Sequence, residues 1–267
     1  MRLRDKRVLV IGASSGLGKA AAIEVAKEGA RVVVAARRVD RLAETVADCA
    51  GDAEALACDV TQEADCHRVV DEAVAALGGL DALVYAPGIA TFGPIEEIDG
   101  AEWHRVLATN VVGLSLVLNK AIAPLTESRG RCVVLSSISI DDSPPRPQQA
   151  TYPLSKHALE ILIESWQNEH RAVGFTSIAC GDTLSEFGHG LDPERIIPIV
   201  QRWAELGYLY GRMMEPVDVA EQVVNALAAR ETLRRIAITP GFPESRGESA
   251  FDYGGEAAVA MNRSQGS

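Results

Sequence analysis

One stretch near the N-terminus, VLVIGASSGLG at residues 8–18, limits the possible folds of this chain more than any other. Its four apolar residues predict a buried strand, and the pattern from Lys19 onward predicts a helix. Gly12 allows a sharp turn, Gly16 leaves room for a pyrophosphate, and Gly18 lets the helix approach the sheet. A tight turn alone could explain three glycines, but a strand before them and a helix after them indicate a dinucleotide-binding site.

Apolar strands and helices alternate along the rest of the chain. Strands are predicted at residues 8–11, 30–36, 53–58, 80–85, 131–137, 175–180 and 235–239, and helices at 19–26, 40–50, 64–77, 103–125, 152–172 and 218–230. The strands are unbroken apolar runs, which are typical of parallel strands covered on both faces. The sequence therefore predicts an α/β, doubly wound Rossmann-type fold with a central parallel sheet of about seven strands and helices on both faces.

The length of 267 residues fits one large domain or two small ones, and because no linker is visible in the sequence we place a single domain at residues 1–242. The segment at 182–214 is too long for a simple connection, and the Gly-, Ser- and Glu-rich tail at 243–267 is expected to fray. A net charge of −11 argues against nucleic acid or an anionic membrane as a partner. No apolar run reaches the ~18 residues of a membrane span, and the basic N-terminus lacks the features of a signal peptide.

The cysteines and histidines argue against a metal site. Five scattered cysteines without a C-x-x-C pair indicate free thiols in a reducing cytoplasm rather than disulfides or a zinc site. The five histidines show no metal-ligand spacing, so we expect a cytoplasmic protein without a metal.

Tyr152 and Lys156 form the second important motif. They stand four residues apart near the start of a predicted helix, so their side chains lie on one face, one turn apart. A neighbouring ammonium favours the phenolate and lowers the tyrosine pKa, which makes Tyr152 a candidate general acid or base. Alone, such a pair is most often a surface helix pair. Beside a dinucleotide loop and downstream of a strand that ends in serines, it indicates catalysis.

These motifs together resemble the short-chain dehydrogenase/reductase family. The resemblance rests on the glycine loop, Asn110 in a TNVVG stretch, a serine pair ending at Ser137, and Tyr152 with Lys156. It covers about residues 5–182 in the order of the family. The resemblance implies a nicotinamide dinucleotide over the carboxyl ends of the strands. The dinucleotide would supply the hydride, while the protein supplies orientation and a tuned acid.

The resemblance also implies catalytic roles. Tyr152 would exchange a proton with the substrate oxygen, and Lys156 would hold the ribose hydroxyls and lower the tyrosine pKa. Asn110 would anchor a water in the proton relay, and a serine at the end of the fifth strand would bind the substrate carbonyl.

Two serines compete for that last role. Ser137 has the expected place after the strand, whereas Ser139 has the expected distance from Tyr152. The loop at 142–147 looks like a short insertion that would lengthen the distance from Ser137 to the tyrosine. We therefore favour Ser137.

The end of the second strand bears on the choice of cofactor. An NAD site places a carboxylate there for the ribose 2′-hydroxyl, but this chain has Arg37 and Arg38, whose guanidinium groups suit a 2′-phosphate. A solvated arginine pair is the alternative. Family members that prefer NADP place an arginine at the position of Arg37, so we predict NADP(H). Ser15 stands where many of them carry a basic residue, so the preference is expected to be moderate. Asp59 resembles the adenine-contacting acid of the family, and capping of the next turn is its alternative role.

The resemblance assigns a full set of cofactor-binding positions. They are Gly12, Ser14, Ser15, Gly16, Leu17, Gly18, Arg37, Arg38, Asp59, Val60, Ala86, Gly88, Tyr152, Lys156, Gly181, Thr183 and Ser185. The chain departs from the family where N-N-A-G is replaced by Tyr85-Ala86-Pro87-Gly88, and where Cys180-Gly181 replaces proline–glycine. The two asparagines that brace the loop in the family are therefore missing.

The substrate side is less constrained by the motifs. In the family, the segment matching 182–214 is a lid, and its apolar residues would suit a hydrophobic carbonyl compound. These residues could equally pack the segment onto the core; they are Phe187, Trp203, Tyr208, Tyr210, Met213 and Met214. The helix that carries Lys156 is apolar on more than one face, and this favours a homodimer or homotetramer.

We therefore predict an NADP(H)-dependent oxidoreductase that interconverts a ketone or aldehyde and an alcohol on a small, hydrophobic substrate. One alternative is a catalytically silent dinucleotide-binding regulator or scaffold, which the altered loop at 85–88 would favour. Another is an epimerase or dehydratase of the same family.

Overall fold

The computed structural model describes residues 1–49, 51–185 and 192–241. Within these ranges, seven strands form one sheet in the order β3-β2-β1-β4-β5-β6-β7, and every neighbouring pair is parallel. The strands are β1 (Arg7–Ile11), β2 (Arg31–Ala36), β3 (Ala53–Ala57), β4 (Ala82–Tyr85), β5 (Arg131–Ser137), β6 (Gly174–Cys180) and β7 (Arg235–Ile238). The predicted doubly wound parallel fold is confirmed.

The described part of the chain also contains eight α-helices. They are α1 (Gly16–Lys27), α2 (Val39–Asp48), α3 (Glu63–Leu77), α4 (Gly100–Leu107), α5 (Gly113–Ser128), α6 (Thr151–Glu169), α7 (Pro193–Glu205) and α8 (Pro216–Ala228). The observed ends of most helices and strands differ from the predicted ends by one to three residues. The hydrophobic pattern of the sequence locates the ends of an element poorly. Helix α7 lies in the segment for which no helix was predicted. The predicted tail at 243–267 and Phe187 lie outside the described residues.

The sheet is covered by helices on both faces. Val8 and Val10 of β1 belong to a core layer shared with α1, α2 and α8. Leu9 and Ile11 belong to the opposite layer, shared with α3, α5 and α6. Successive side chains of a strand point to opposite faces, so a strand with helices on both sides must be apolar at every position. This explains the unbroken apolar runs in the sequence.

The strand order creates the crevice that holds the site. The chain runs from β1 outward to β2 and β3, and then returns to β4 on the other side of β1. The connections therefore leave the sheet in opposite directions on either side of β1. At such a switch point, the carboxyl ends of the strands border a crevice. The glycine loop between β1 and α1 lies at this point.

The predicted helix at 103–125 differs most from the structure. It begins earlier, at Gly100, and a π-helical turn at Ala108–Val112 divides it into α4 and α5. The joined stretch Gly100–Ser128 is long enough to cross a membrane, and an 18-residue window within it has a mean hydropathy of 1.6, a combination that core helices of soluble domains also show. Here α5 packs against α3 and β4.

Gly18 is a position where the fold has no room for a side chain. A Cβ atom there would overlap the carbonyl oxygen of Gly12 and approach the Ala86 side chain to 3.1 Å. We expect Gly18→Ala to push α1 away from the turn and to lower the free energy of unfolding by about 1–3 kcal/mol. Urea unfolding measures this change.

Gly100→Ala is the matched control for this prediction. Gly100 is the first residue of α4, and no atom lies within 4 Å of a Cβ atom placed there. Alanine should therefore be neutral or slightly stabilising at this position. Equal unfolding free energies for the two variants would contradict the close packing inferred at Gly18.

Candidate active site

A cleft of about 340 Å³ lies at the carboxyl ends of the central strands. All but two of the predicted cofactor-binding residues line it: Gly12, Ser14, Ser15, Gly16, Leu17, Gly18, Arg37, Arg38, Asp59, Val60, Ala86, Gly88, Tyr152, Lys156 and Ser185. The two exceptions are Gly181 and Thr183. Other residues that also line the cleft have no predicted role in the site, among them Cys58, Ile89, Thr109 and Ser136. The only feature of the sequence that could have indicated them is that they stand close, along the chain, to the end of a strand or to Asn110.

The glycine loop is held tightly between β2 and the loop after β4. The N–H of Gly12 donates to the carbonyl of Ala35 at 2.7 Å. Gly12 has a φ of +84°, and a Cβ atom there would lie 2.9 Å from the backbone nitrogen of Pro87. Glycine is therefore required at this position, because the backbone has a positive φ and because Pro87 leaves no room for a side chain. The turn directs the N-terminus of α1 at the cleft, where unpaired N–H groups suit an anion.

Arg38 lies directly beside this loop. Its guanidinium donates to the hydroxyl of Ser15 at 2.7 Å and to the hydroxyl of Ser14 at 3.1 Å. Ser15 occupies the N-cap position of α1 without making a capping hydrogen bond through its side chain. Arg37 is exposed and lines the same corner of the cleft. The corner therefore presents two guanidinium groups and two hydroxyls, a donor set that suits a phosphate.

Asp59 has the capping role that was its alternative interpretation. Its Oδ1 accepts hydrogen bonds from the N–H of Thr61 at 3.0 Å and from the Thr61 hydroxyl at 2.8 Å. The residue also lines the cleft. The adenine contact of Asp59 thus stays a prediction, and it would be made by a carboxylate that already holds a turn.

The loop after β4 is braced in a way that its sequence did not indicate. Tyr85 is fully buried, and its hydroxyl donates to the carbonyl of Thr109 at 2.7 Å. A Cβ atom at Gly113 would collide with this hydroxyl, so glycine makes the tyrosine possible. Asn110 accepts from the N–H of Ile89 at 2.9 Å and donates to its carbonyl at 2.8 Å. These contacts supply the support that the missing asparagines would otherwise give.

Asn110 also connects this loop to α6. It lies in the π-helical turn, a feature that is frequent at functional sites. Its Nδ2 donates to the Ser155 hydroxyl at 2.9 Å, and that hydroxyl donates to the carbonyl of Tyr152 at 2.7 Å. Asn110 therefore helps to position the start of α6, and its role in a water relay stays a prediction.

Tyr152 and Lys156 line the cleft together with the glycine loop, whereas Ser137, at the end of β5, and Asn110 are not among its lining residues. The Nζ of Lys156 lies 5.6 Å from the centre of the Tyr152 ring and donates to the carbonyl of Leu135 at 2.8 Å. The side chain of Ser137 is hydrogen-bonded to Tyr152. Within the described residues, the buried hydroxyl of Ser139 has no hydrogen-bond partner. The fold thus brings Ser137 to the tyrosine.

The pKa of Tyr152 corrects one expectation from the sequence. Lys156 was expected to lower the pKa of Tyr152, but burial has the largest effect and raises this pKa. The hydrogen bond with Ser137 and the positive charge of Arg146 act in the opposite direction. Burial also lowers the pKa of Lys156 to about 8, because the ammonium is taken out of water. The phenol is therefore protonated at neutral pH.

The two serines can be distinguished by mutation. We expect Ser137→Ala to lower kcat/KM roughly tenfold, because it removes a hydrogen bond at the reacting oxygen and at Tyr152. Ser139→Ala is the matched control and should leave kcat/KM unchanged. Steady-state kinetics of both variants measure the effect, and the reverse order would assign the role to Ser139.

The described part of the segment at 182–214 is largely packed against the protein. Trp203 and Met214 are buried, and the indole N–H of Trp203 donates to the carbonyl of Pro147 at 2.8 Å. The hydroxyl of Tyr208 donates to the carbonyl of Pro144 at 2.9 Å. Of the two alternatives for these residues, packing onto the core is therefore observed for Trp203 and Met214. Trp203 lies on α7, a helix that the apolar pattern did not predict, and Met214 lies between α7 and α8.

Gly181 and Thr183 hold the chain after β6 instead of lining the cleft. A Cβ atom at Gly181 would lie 3.0 Å from the carbonyl oxygen of Ile238. The Thr183 hydroxyl donates to the carbonyl of Gly181 at 2.8 Å, and Thr183 forms a β-bridge with Met214. Neither residue is among those lining the cleft, and their cofactor contacts stay a prediction.

Known proteins resemble this chain over most of its length. A family model described as short chain dehydrogenase matches residues 6–195. Farnesol dehydrogenase of Aedes aegypti is 33% identical over 252 residues, which cover 90% of this chain and 97% of the relative. Glucose 1-dehydrogenase of Gluconobacter oxydans is 32% identical over 202 residues, covering 73% and 76%. The structure of a short-chain type dehydrogenase/reductase from Mycobacterium marinum is 27% identical, with a TM-score of 0.77 and coverage of 91% and 97%.

Proposed function

Because this chain belongs to the short-chain dehydrogenase/reductase family, an oxidoreductase family, we propose that it interconverts a ketone or aldehyde and an alcohol with NADP(H). The observation that carries the proposal is that Tyr152 and Lys156 line the same cleft as the glycine loop, with the side chain of Ser137 hydrogen-bonded to the tyrosine. Relatives named for farnesol and for glucose show that the family name alone does not select a substrate. We propose a small substrate with an apolar body.

The residues present fit a nicotinamide dinucleotide. The glycine loop leaves a cradle that a Cβ atom at Gly12 or Gly18 would fill. The N-terminus of α1 would hold the pyrophosphate, Asp59 the adenine side, and Lys156 the ribose hydroxyls. The Cα of Gly88 also faces Lys156, whose Nζ would lie 3.4 Å from a side chain there. The dinucleotide, when bound, supplies the hydride.

The protein's own residues would handle the proton. Burial keeps the Tyr152 phenol protonated near neutral pH, so it can donate to the carbonyl oxygen of a substrate during reduction. Ser137 would bind the same oxygen and hold the orientation of Tyr152. Lys156 and a water near Asn110 would return the proton afterwards. In this scheme, reduction is the favoured direction.

The preference for NADP(H) is supported by the corner between β2 and the glycine loop. Arg38 donates to the hydroxyls of Ser14 and Ser15, so its guanidinium is held beside the glycine loop and could bind a 2′-phosphate. Arg37 adds a second positive charge at the end of β2. A charged, planar donor group of this kind suits a phosphate better than a hydroxyl.

We also propose that the protein is a cytoplasmic homodimer or homotetramer. Leu154 and Ile161 of α6 are exposed by 48% and 65%, and Val112, the last residue of the π-helical turn before α5, is exposed by 48%. An exposed apolar helix face is commonly covered by a second copy. All five cysteines are free and buried, which suits a reducing compartment. Light scattering of the purified protein measures the oligomeric state.

A panel assay tests the proposed function. The full chain is assayed with ketones, aldehydes and secondary alcohols, from terpenoid and steroid compounds to sugars, with each nicotinamide cofactor. We expect reduction of apolar carbonyl compounds with NADPH, followed by the absorbance of the nicotinamide. Binding of NADPH without turnover across the panel would favour a regulator. Product formation without a net change in nicotinamide absorbance would favour an epimerase or dehydratase.

A further inference from the structure

Two buried cysteines lie together where β3 ends and α3 begins. Cys58 follows β3 directly, and its exposed fraction is 2%. Cys66 lies in the first turn of α3 and is fully buried. Both side chains belong to the core layer that also contains Tyr85. Neither thiol takes part in the reaction proposed above, but two thiols in one small space can be joined by oxidation.

Hydrogen bonds at the flanking residues hold the two cysteines side by side. The N–H of Asp59, directly after the first cysteine, donates to the carboxylate of Asp65, directly before the second, at 3.0 Å. A terminal nitrogen of Arg68 donates to the carbonyl of Ala57, on the other side of the pair, at 3.0 Å. The end of β3 and the first turn of α3 are therefore fixed against each other at the level of the two sulfurs.

The two thiols also contact each other. Cys66 donates to the carbonyl of Val60, with its sulfur 3.4 Å from that oxygen, and accepts a hydrogen bond from the thiol of Cys58. This bond lowers the pKa of Cys66 and raises the pKa of Cys58. Such thiols titrate as a pair. Loss of one proton leaves a thiolate, the reactive form of cysteine, which the remaining S–H stabilises.

The dinucleotide cleft gives this pair an opening that other buried thiols lack. Cys58 lines the cleft together with Asp59 and Val60, on the side where the adenine is proposed to bind. Buried cysteines without such an opening are inert. Cys132 is the contrasting case, because it is fully buried on β5 and burial raises the pKa of its thiol.

We propose that Cys58 and Cys66 are a redox modification site, at which a hydroperoxide joins the two sulfurs in a reversible disulfide while the dinucleotide cleft is empty. A dinucleotide bound over Cys58 would keep the oxidant out. This protection rests on the proposed function, whereas formation of the disulfide does not. A transient disulfide is compatible with a reducing compartment, where such bonds usually serve catalysis or redox sensing.

The reaction consumes one molecule of hydrogen peroxide for two thiols. The first sulfur attacks the peroxide, so that an S–O bond forms and the O–O bond breaks, and the leaving oxygen takes up the thiol proton as water. The second sulfur then attacks the first, the S–S bond forms and the S–O bond breaks, and the departing hydroxide becomes water with the second thiol proton. The two sulfurs together lose two electrons, which the peroxide gains.

The disulfide should also weaken the binding of the dinucleotide. An S–S bond is about 2.05 Å long, which is shorter than the separation of two hydrogen-bonded thiols, so the end of β3 would be drawn towards α3. Asp59 and Val60 of the cleft wall would move with it. Coupling between two sites is reciprocal, and we expect the dissociation constant for NADP⁺ to rise roughly fivefold or more on oxidation.

The test exposes the reduced, full-length chain to hydrogen peroxide and measures its free thiols and its mass. We expect the loss of two free thiols and of two hydrogen atoms, both reversed by dithiothreitol. NADP⁺ at saturation, which peroxide does not consume, should slow this loss roughly fivefold or more, because access limits the rate. Oxygen added to the sulfurs without loss of hydrogen, or a product that dithiothreitol does not reverse, would contradict the proposal.

The bond is located by peptide mapping of the oxidised native chain. Trypsin is not sufficient, because one tryptic peptide, residues 42–68, holds Cys49, Cys58 and Cys66 together. Acidic residues stand between each of these cysteines, so a protease that cleaves at them separates all three. We expect a linked pair of peptides that contain Cys58 and Cys66. A link that includes Cys49 instead would overturn the assignment.

Variants provide the matched comparison. Cys66→Ser removes one sulfur of the pair and should abolish the disulfide, whereas Cys49→Ser should form it at the native rate, because Cys49 does not line the cleft. A disulfide that persists in Cys66→Ser would reject the pair. Should Cys66→Ser fail to fold, Cys58→Ser makes the same comparison, and the mapping of the native chain needs no variant.

Quenching of protein fluorescence by NADP⁺ separates this proposal from the proposed function. A chain that binds no dinucleotide would overturn the proposed function and the protection with it, while a mapped disulfide would still establish the modification site. Binding of NADP⁺ without slower oxidation of Cys58 and Cys66 would reject the control by the cleft and leave the oxidoreductase proposal in place.

Discussion

Tyr152→Phe is expected to lower kcat/KM by about 10²- to 10⁴-fold, the range by which a positioned acid or base accelerates a reaction. The substitution removes one oxygen atom and leaves the ring in place. Ser137 would still bind the substrate oxygen, but no group would donate the proton as the hydride arrives. The loss should appear in kcat more than in KM, because the proton is transferred in the transition state. Steady-state kinetics with a substrate found in the panel measure it.

The binding of the dinucleotide provides the internal control. Quenching of protein fluorescence by NADPH should give a similar dissociation constant in Tyr152→Phe and in the native chain. Tyr208→Phe is the matched variant, since it removes a hydroxyl that bonds to the carbonyl of Pro144 outside the cleft. This variant should lower kcat/KM by no more than a few fold. Undiminished turnover in Tyr152→Phe would refute the mechanism.

Arg38→Ala is expected to lower kcat/KM with NADPH roughly 10- to 100-fold and to change kcat/KM with NADH little. Hydrogen bonds to a charged group contribute roughly 1.5–3 kcal/mol, and the side chain of Arg38 already bridges Ser14 and Ser15 beside the predicted 2′-phosphate position. NADH lacks that phosphate, so it would not lose an interaction. The ratio of the two kcat/KM values measures the preference.

Arg41→Ala is the control for charge alone. Arg41 lies in the first turn of α2, the helix that begins directly after Arg38, and it interacts with Glu44 but does not line the cleft. The variant should therefore keep the preference for NADPH. If Arg38→Ala and Arg37→Ala each left the ratio unchanged, a solvated arginine pair would be the correct interpretation. Added salt should weaken NADPH binding in the native chain more than in Arg38→Ala, because screening reduces the charge interaction.

Local sequence was sufficient to predict the framework and the core of the site. Strand and helix periods are set by side-chain directions over a few residues, so the parallel sheet could be predicted from the alternation of apolar segments. The glycine loop and the spacing of Tyr152 and Lys156 are also local. Each of these features depends on neighbours within one turn or one strand, and the sequence therefore determined them.

The rest was decided by contacts between residues far apart in the chain. Tyr85 meets Thr109 only because a π-helical turn brings that carbonyl to the end of β4. The meeting of Ser137 with Tyr152 depends on how the intervening loop packs. That loop is held by Arg146 through partners on two other elements. Burial then reversed the expected shift in the pKa of Tyr152, because the removal of water around a group is set by the whole fold and has no sequence signature.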